Sequence, residues 1–436
     1  HNNTQTFTNK SGCISQWTNN EGYTTCYGNV CTTGTQTIGG VKTFSSDLKT
    51  SSSKLCVNGQ TAVYVPGGNF TGSSFYGNGG GSLSYVSGIN GQQNTGVGCD
   101  ALNSVTSGNR NTATGYQSLN SLTTGYNNVA VGVYASDKST TGNRNVAIGV
   151  YALCSNITGF SNVAIGEQAL LASTASINTA IGSMAMRFNT TGSANVAIGG
   201  NALCYNTTGT QNIAIGYQTM TTNTTGCRNV AIGQEALWKN TTGKCNVATG
   251  HNALRYNTYG CLNTGSGYEA LYTNTYGCYN VATGAAALRS NTSGKCNVAN
   301  GYQALYSNTT GSSNVATGHQ ALYSGNGSAN VATGLQALCS NTSGAYNVGN
   351  GHRALFSNTT GAYNVAFGSC TLYSNTTGSF NHAIGRDALF CNTTGAFNIA
   401  VGYAALRTNA GYFNTAVGVY ALCKNTTGNY NSAFGH

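Results

Sequence analysis

One phrase, Asn-Val-Ala-x-Gly, recurs through most of this chain at a nearly constant step. That regularity limits what the chain can fold into more than any other feature. The leading Asn falls at 111, 128, 145, 162, 178, 195, 212, 229, 246, 263, 280, 297, 314, 330, 347, 364, 381, 398, 414 and 431, with a weaker copy at Asn94. The step is 17 residues, except for steps of 16 at Asn162 to Asn178, Asn314 to Asn330 and Asn398 to Asn414. A full unit runs from Asn195 to Gln211. So short a unit cannot fold alone, because ordering it costs roughly 1.5 kcal/mol per residue and it has one Leu and a few Ala to bury. Stacking each unit on two neighbours supplies the missing burial and makes stability collective.

Each unit is expected to hold two short extended pieces. Asn195 to Gly199 is the first and Ala202 to Tyr205 the second, with Gly199 and the Asn206-Thr207-Thr208-Gly209 turn bending the chain between them. Gly209 is expected to supply a positive φ and Asn206 to bond its own backbone. No segment carries a helical period. All three 16-residue steps lose their residue in or beside the turn, within 171–177, 324–329 and 408–413. Deletions are tolerated in exposed loops, which places the turn outside and the two pieces in the ladder.

The predicted fold is therefore all-β, a parallel β-solenoid (β-roll) with a 17-residue repeat. About 20 coils at about 4.8 Å each give a rod of roughly 100 Å. Ala147, Ala164, Ala197, Ala202 and Leu203 are the predicted core. The fourth repeat position runs Ile148, Ile198, Thr249, Thr283, Asn300, Thr317, Asn350, Phe367, Ile384. It admits polar residues, so it belongs on a face that is partly open or meets another chain. Residues 1–77 do not repeat and read as a small β cap or connector; 78–436 form the repeat domain. The last residues, Asn431 to His436, stop in the first strand of a fresh coil. That coil is expected to stack on the next copy, head to tail, or on a domain further along. The start at His1 is expected to reflect processing or a longer parent chain.

Composition narrows the function. Charged residues make up 6% of the chain, against about 25% in an ordinary domain, yet 39% is apolar, with 27 Tyr and 13 Phe. That apolar content argues against disorder. A single Pro, Pro66, fits a chain whose N–H groups are needed in ladders. The net charge of +10 comes from scattered residues such as Arg144, Arg187, Arg228 and Lys239. With no basic run, a nucleic-acid groove is not expected; the charge reads as a solubility feature, with a weak attraction to acidic glycans or cell surfaces as the alternative. No run approaches the about 20 apolar residues of a membrane helix, so no membrane insertion is expected. Sixteen Cys point to an oxidising compartment or a late-oxidised particle.

Catalysis is not expected. The acids, Glu21, Asp47, Asp100, Asp137, Glu167, Glu235, Glu269 and Asp387, form no pair suited to glycoside hydrolysis. His251, His319 and His352 share a repeat position but lie in coils too far apart to ligate one metal, and no cofactor is implied. Cys227, Cys245, Cys261, Cys278 and Cys296 fall in five consecutive coils at the last two repeat positions. Equivalent Cα atoms in adjacent coils are about 4.8 Å apart, inside the disulfide range of roughly 4.4–6.8 Å. Cys261 and Cys278 share a position in adjacent coils and are the leading candidate pair, with Cys227 and Cys245 next; a ladder of free thiols is the alternative. Cys13, Cys26, Cys31 and Cys56 are further candidates in the cap. Cys154, Cys204, Cys339 and Cys423 share a position but not neighbouring coils.

The turn also creates sequons, at Asn156, Asn189, Asn206, Asn223, Asn240, Asn291, Asn308, Asn341, Asn358, Asn375, Asn392 and Asn425. Turn chemistry alone explains them; in a eukaryotic secretory pathway exposed turns would be N-glycosylated. Finally, Tyr346, Tyr363, Phe380, Phe397, Phe413 and Tyr430 each precede the repeat Asn in consecutive coils. This is an aromatic ladder that stacks within the rod, forms a subunit interface, or offers a stripe to sugars.

Two stretches resemble known families. Gln36-Thr37-Ile38-Gly39-Gly40-Val41-Lys42-Thr43-Phe44 resembles an element common in phage and viral tail-fibre proteins. The Asn-Val-Ala-Ile-Gly repeats resemble the arrays of tail-fibre proteins and are similar to the head repeats of trimeric autotransporter adhesins, although this repeat is longer. The resemblance implies a left-handed parallel β-roll, a homotrimer and an extracellular or virion-surface location. The leading expectation is a non-catalytic fibre shaft with itself as partner, as homotrimer or head-to-tail filament. The alternative is an adhesin or receptor-binding head that recognises host-surface glycans. An ice-binding solenoid is a third reading, disfavoured because the repeated Thr lie in turns instead of on a flat strand.

Overall fold

In the computed structural model, residues 54–57, 60–64, 74–76 and 91–436 are described. The tail-fibre-like element, Cys13, Cys26, Cys31 and the boundary at residue 77 lie outside them. Three strands come first, β1 (Lys54–Val57), β2 (Gln60–Tyr64) and β3 (Ser74–Tyr76), paired antiparallel in that order. β3 then lies parallel against β4 (Thr95–Val97), the first strand of the repeat. From β4 to β24 (Ser432–Phe434) each coil contributes one three-residue strand. All pair in parallel register, as Val196, Ala197 and Ile198 do with Ile213, Ala214 and Ile215. Register holds across the 16-residue steps too, with Val163 opposite Thr179, Val315 opposite Val331 and Ile399 opposite Thr415. The protein is an all-β parallel β-solenoid with a repeat of about 17 residues per turn, and no helix occurs among the described residues.

The second extended piece is not a strand. Ala202 N–H donates to the Gly199 carbonyl at 3.2 Å and Asn206 N–H to that of Leu203 at 3.1 Å. The chain therefore passes through two tight turns where an extended segment was expected. Asn201 and Leu203 have φ of 57° and 50°. Ala202 and Leu203 are neighbours, yet both are fully buried. A strand alternates its side chains between faces and cannot bury two in succession; the left-handed residue between the turns lets both point inward. Backbone bonds between coils continue there regardless. Leu203 N–H reaches Thr219 O and Tyr205 N–H reaches Thr221 O, both at 3.0 Å. Every side of the coil is stitched to its neighbours although only one side is a sheet.

The predicted core residues Ala147, Ala164, Ala197, Ala202 and Leu203 are fully buried. The fourth-position column opens outward, with Ile198 37% exposed. The turn differs from expectation. Thr208 is exposed, but Asn206 and Gly209 are buried. Gly209 is not among the positive-φ residues. Its requirement is space, because a Cβ there would collide with Asn206 Oδ1 and with the Gly226 carbonyl of the next coil. The glycine that needs its backbone freedom is Gly199, with φ of 130°, a region that residues with a Cβ rarely enter.

Two ladders of buried Asn run along the interior. In the first, Asn195 N–H donates to Asn178 Oδ1 at 3.0 Å, and its Nδ2 donates to Gly209 O at 2.9 Å. In the second, Asn206 Nδ2 donates to Asn189 Oδ1 at 2.7 Å and to Gly209 O at 3.0 Å. One glycine carbonyl thus takes an amide from each ladder. The second ladder is replaced by apolar side chains at Val105 and Leu122 and interrupted at Ser139, Ser173 and Gly325, all buried. Ahead of each 16-residue coil a buried carbonyl is left without a donor: Asn156, Asn308 and Asn392 Oδ1.

If the second ladder fixes the turn, Asn206→Asp should be more damaging than Asn206→Leu, although Asp is closer in shape. The carboxylate loses both donated bonds and faces two carbonyl-type oxygens, an expected loss of about 3–5 kcal/mol. Leu, which occupies the same column at Leu122, should lose about 1–3 kcal/mol. Urea unfolding followed by circular dichroism orders the two; a milder effect for Asp would mean the ladder is not the restraint.

Candidate functional site

With the interior closed by Ala, Leu, Asn and Gly, the outside of the rod is a set of side-chain columns. The longest aromatic one is the Tyr346–Tyr430 ladder. Its residues all have left-handed backbones, φ 56° to 58°, which turn the side chain outward just before the strand. Ring centroids are 4.9, 4.8, 4.9, 4.9 and 5.1 Å apart from Tyr346 to Tyr430, and the planes lie within 7° of parallel. All six rings are exposed. The stacking consumes their faces, so the column presents ring edges; within the array a ring face is left uncovered at Tyr346, whose neighbour in the preceding coil is Ala329. A sugar stacks on a ring face, which leaves most of this stripe poorly suited to it.

A second column, at the tenth repeat position, escapes a search for aromatics alone because cations alternate with rings in it: Trp238, Arg255, Tyr272, Arg289, Tyr306. Arg255 Nη2 lies 2.6 Å from Glu235 Oε2, and Arg289 Nε lies 2.6 Å from Glu269 Oε2. The Arg255 guanidinium sits 5.0 Å from the Trp238 ring centre and that of Arg289 4.8 Å from Tyr272. The hydrogen bond to Glu269 pushes the Arg289 pKa above its usual range, with burial opposing. Each Arg ties three coils together through its charge and its plane. Two acids that look isolated in the sequence are thereby neutralised.

The cysteines from Cys99 to Cys423 are free thiols. Cys261 and Cys278 are in contact, the Cys261 N–H pointing at Cys278 Sγ at 3.2 Å. Cys245 N–H donates to the Cys227 carbonyl at 3.1 Å, and Cys296 N–H to that of Cys278 at 3.1 Å, so the five run as neighbours down one edge. Cys154, Cys204 and Cys339 are different: burial pushes their thiols up, away from the reactive thiolate. Cys56 lies in β1. His251 stacks on Tyr268 and His319 lies against Tyr302, at 5.6 and 5.2 Å. Among the described residues no three His, Cys, Asp or Glu could together hold a metal ion, and no helix is long and apolar enough to cross a membrane.

The repeated sequons prove to be the second Asn ladder. Asn156, Asn189, Asn206, Asn223, Asn240, Asn291, Asn308, Asn341, Asn358, Asn375 and Asn392 are fully buried, and Asn425 is half-buried. Both Nδ2 hydrogens of Asn206 are donated, so the nitrogen that would carry a sugar is committed. A further sequon, Asn326-Gly327-Ser328, belongs to a 16-residue coil and lacks the repeated Thr-Thr pattern. Asn326 is exposed. Its Oδ1 is held by Thr309 and Thr310, and its Nδ2 makes no hydrogen bond. The sequence signal for it was the departure from the repeat.

Compared with known proteins, the sequence matches no family model and no curated protein.

Produced in a host that N-glycosylates secreted proteins, folded rods are expected to carry no glycan on Asn206 or the other fully buried sequons, and among the sequons from Asn156 to Asn392 any glycan should sit on Asn326. Glycopeptide mapping of monodisperse material reads this directly, and an occupied Asn206 in folded rods would contradict the ladder. Mild oxidation should join Cys261 to Cys278 before it consumes Cys154 or Cys204; differential thiol labelling followed by peptide mapping reports the order.

Proposed function

We propose that this chain is a non-catalytic structural fibre, the shaft of a viral or phage fibre or of an extracellular surface filament. The observation that carries the reading is the unbroken parallel register from β4 to β24, kept even where a coil is one residue short. Nothing in that run is spent on a loop large enough to build a site. The tail-fibre-like residues Gln36 to Phe44 support the same reading by resemblance.

A second copy of the chain is the proposed partner, as a homotrimer. The strand face favours this. Val129, Val131, Ile148, Ile198, Ile213 and Ile232 stand exposed on it, with Ile165 and Ile181 half-buried in the coils between Ile148 and Ile198, an apolar strip of the kind a monomer covers. A copy of the same rod repeats at the same spacing and can match that strip coil for coil. Head-to-tail association into a filament is a further proposed mode. The adhesin reading rests on the aromatic stripe and is the weaker, given the covered ring faces. Ice binding is weaker still, because the first hydroxyl of the turn, as at Thr207 Oγ1, donates to the backbone of the next coil, at 3.0 Å, and is not free to order water.

Light scattering with negative-stain imaging tests the proposal: rods of roughly 100 Å or multiples of it are expected, about 4.8 Å per coil, with the mass of three chains. A stable single-chain mass would overturn the trimer. The paired substitution Ile198→Glu and Ile232→Glu should release monomers while circular dichroism stays unchanged. Binding to a glycan array by the rods, abolished by removing the Tyr346 ring, would favour the adhesin instead.

A further inference from the structure

Three Asn-Gly pairs occur among the described residues: Asn300-Gly301, Asn326-Gly327 and Asn350-Gly351. All three asparagines are exposed, so exposure does not distinguish them. Hydrogen bonding does. Asn300 and Asn350 end strands, and the following glycine N–H groups are locked to the previous coil, Gly301 to Thr283 O and Gly351 to Thr333 O, each at 2.8 Å. Gly327 N–H donates no hydrogen bond. The 16-residue coil has lost the residue that normally completes this turn, and the Asn326 side chain fills in for the missing backbone. Its Oδ1 accepts from Thr309 N at 2.6 Å, Thr309 Oγ1 at 2.8 Å and Thr310 N at 3.3 Å.

We infer that Asn326-Gly327 is a self-modifying site, in which the chain converts Asn326 to an aspartyl or isoaspartyl residue with water as the only co-reactant. Gly327 N attacks Asn326 Cγ. The N–Cγ bond forms, the Gly327 amide proton is lost to solvent, and the Cγ–Nδ2 bond breaks to release ammonia, leaving a five-membered imide. Water then opens the imide, at Cγ to give Asp or at the main-chain carbonyl to give the β-linked residue. No electrons change hands; one water is consumed and one ammonia leaves. Negative charge gathers on Oδ1 as the attack proceeds. The three donors already aimed at that oxygen stabilise it there, as an oxyanion hole does. They also draw electron density from Cγ in the ground state. An Asp product keeps all three donors as charge-assisted bonds, so the coil survives the change and gains a negative charge on a basic rod.

The test uses the full chain purified folded from a host that does not glycosylate, incubated at neutral pH and mapped by peptide mass and isoaspartyl content over time. Conversion at Asn326 is expected to outpace that at Asn300 and Asn350 by tenfold or more, a factor of ten being about 1.4 kcal/mol of barrier. In urea-unfolded chain the three should convert at comparable rates. Thr309→Val, which deletes one donor, should slow Asn326 several-fold without moving the urea midpoint. Should that variant misfold, the comparison among the three sites in the unaltered chain still decides. Equal rates at the three positions in the folded rod, or no conversion at Asn326, would overturn the inference.

Discussion

A side-chain amide can do what a peptide unit does, accept along one direction and donate along the other, and this solenoid depends on that equivalence. The Oδ1 of each strand-leading Asn receives the backbone N–H of the next, as Asn178 does for Asn195 and Asn195 for Asn212. It continues the ladder at the corner where the strand begins and the backbone alone has no acceptor to offer. Burying an amide is costly unless its partners are in place. Here the partners are other copies of itself, so the arrangement is self-consistent only if every coil keeps the residue and the register. The small core follows from this. Ala, Leu and Gly leave the coil narrow enough for amides in neighbouring coils to touch.

The same narrowness explains the backbone. A closed coil of about 17 residues must turn sharply several times, and much of the turning is done by residues other than glycine. Leu203, Asn201 and Gln211 all have φ between 50° and 58°, conformations that cost roughly 1–2 kcal/mol each. Hydrogen bonds from both neighbouring coils hold them there. Such strain is sustainable only in a stacked array, where each coil is clamped from two sides, and this is the physical content of calling the repeat collective.

Much of the fold was legible in the sequence because the period, the alternating Val-Ala-Ile and the recurring Ala-Leu pair are direct consequences of stacking. The expected second strand conflicts with a feature of the sequence itself, since Ala202 and Leu203 are adjacent and both apolar, which period-two alternation forbids. Asn206 and Gly209 were read as exposed turn residues because local propensity gives them that role. Their burial is decided by the next coil, which propensity does not see. Asn326 was missed for the opposite reason: it lies where the repeat is broken, and reading by the consensus passes over the exception. The Arg255 and Arg289 column was hidden because its members look dissimilar until coil spacing brings Glu235 and Glu269 beside them.

The interruptions in the second ladder give the rod a mechanical character. Between most neighbouring coils two rows of amides resist separation. Across Asn156 and the coil that follows, and again beyond Asn308 and Asn392, an acceptor oxygen of the second row is left empty. These planes divide the solenoid into lengths that are stiff within themselves and weaker where they join. A pull along the axis, or a shear across it, concentrates at those joints. A solenoid built this way yields at a few fixed places, and the segments between them keep their shape.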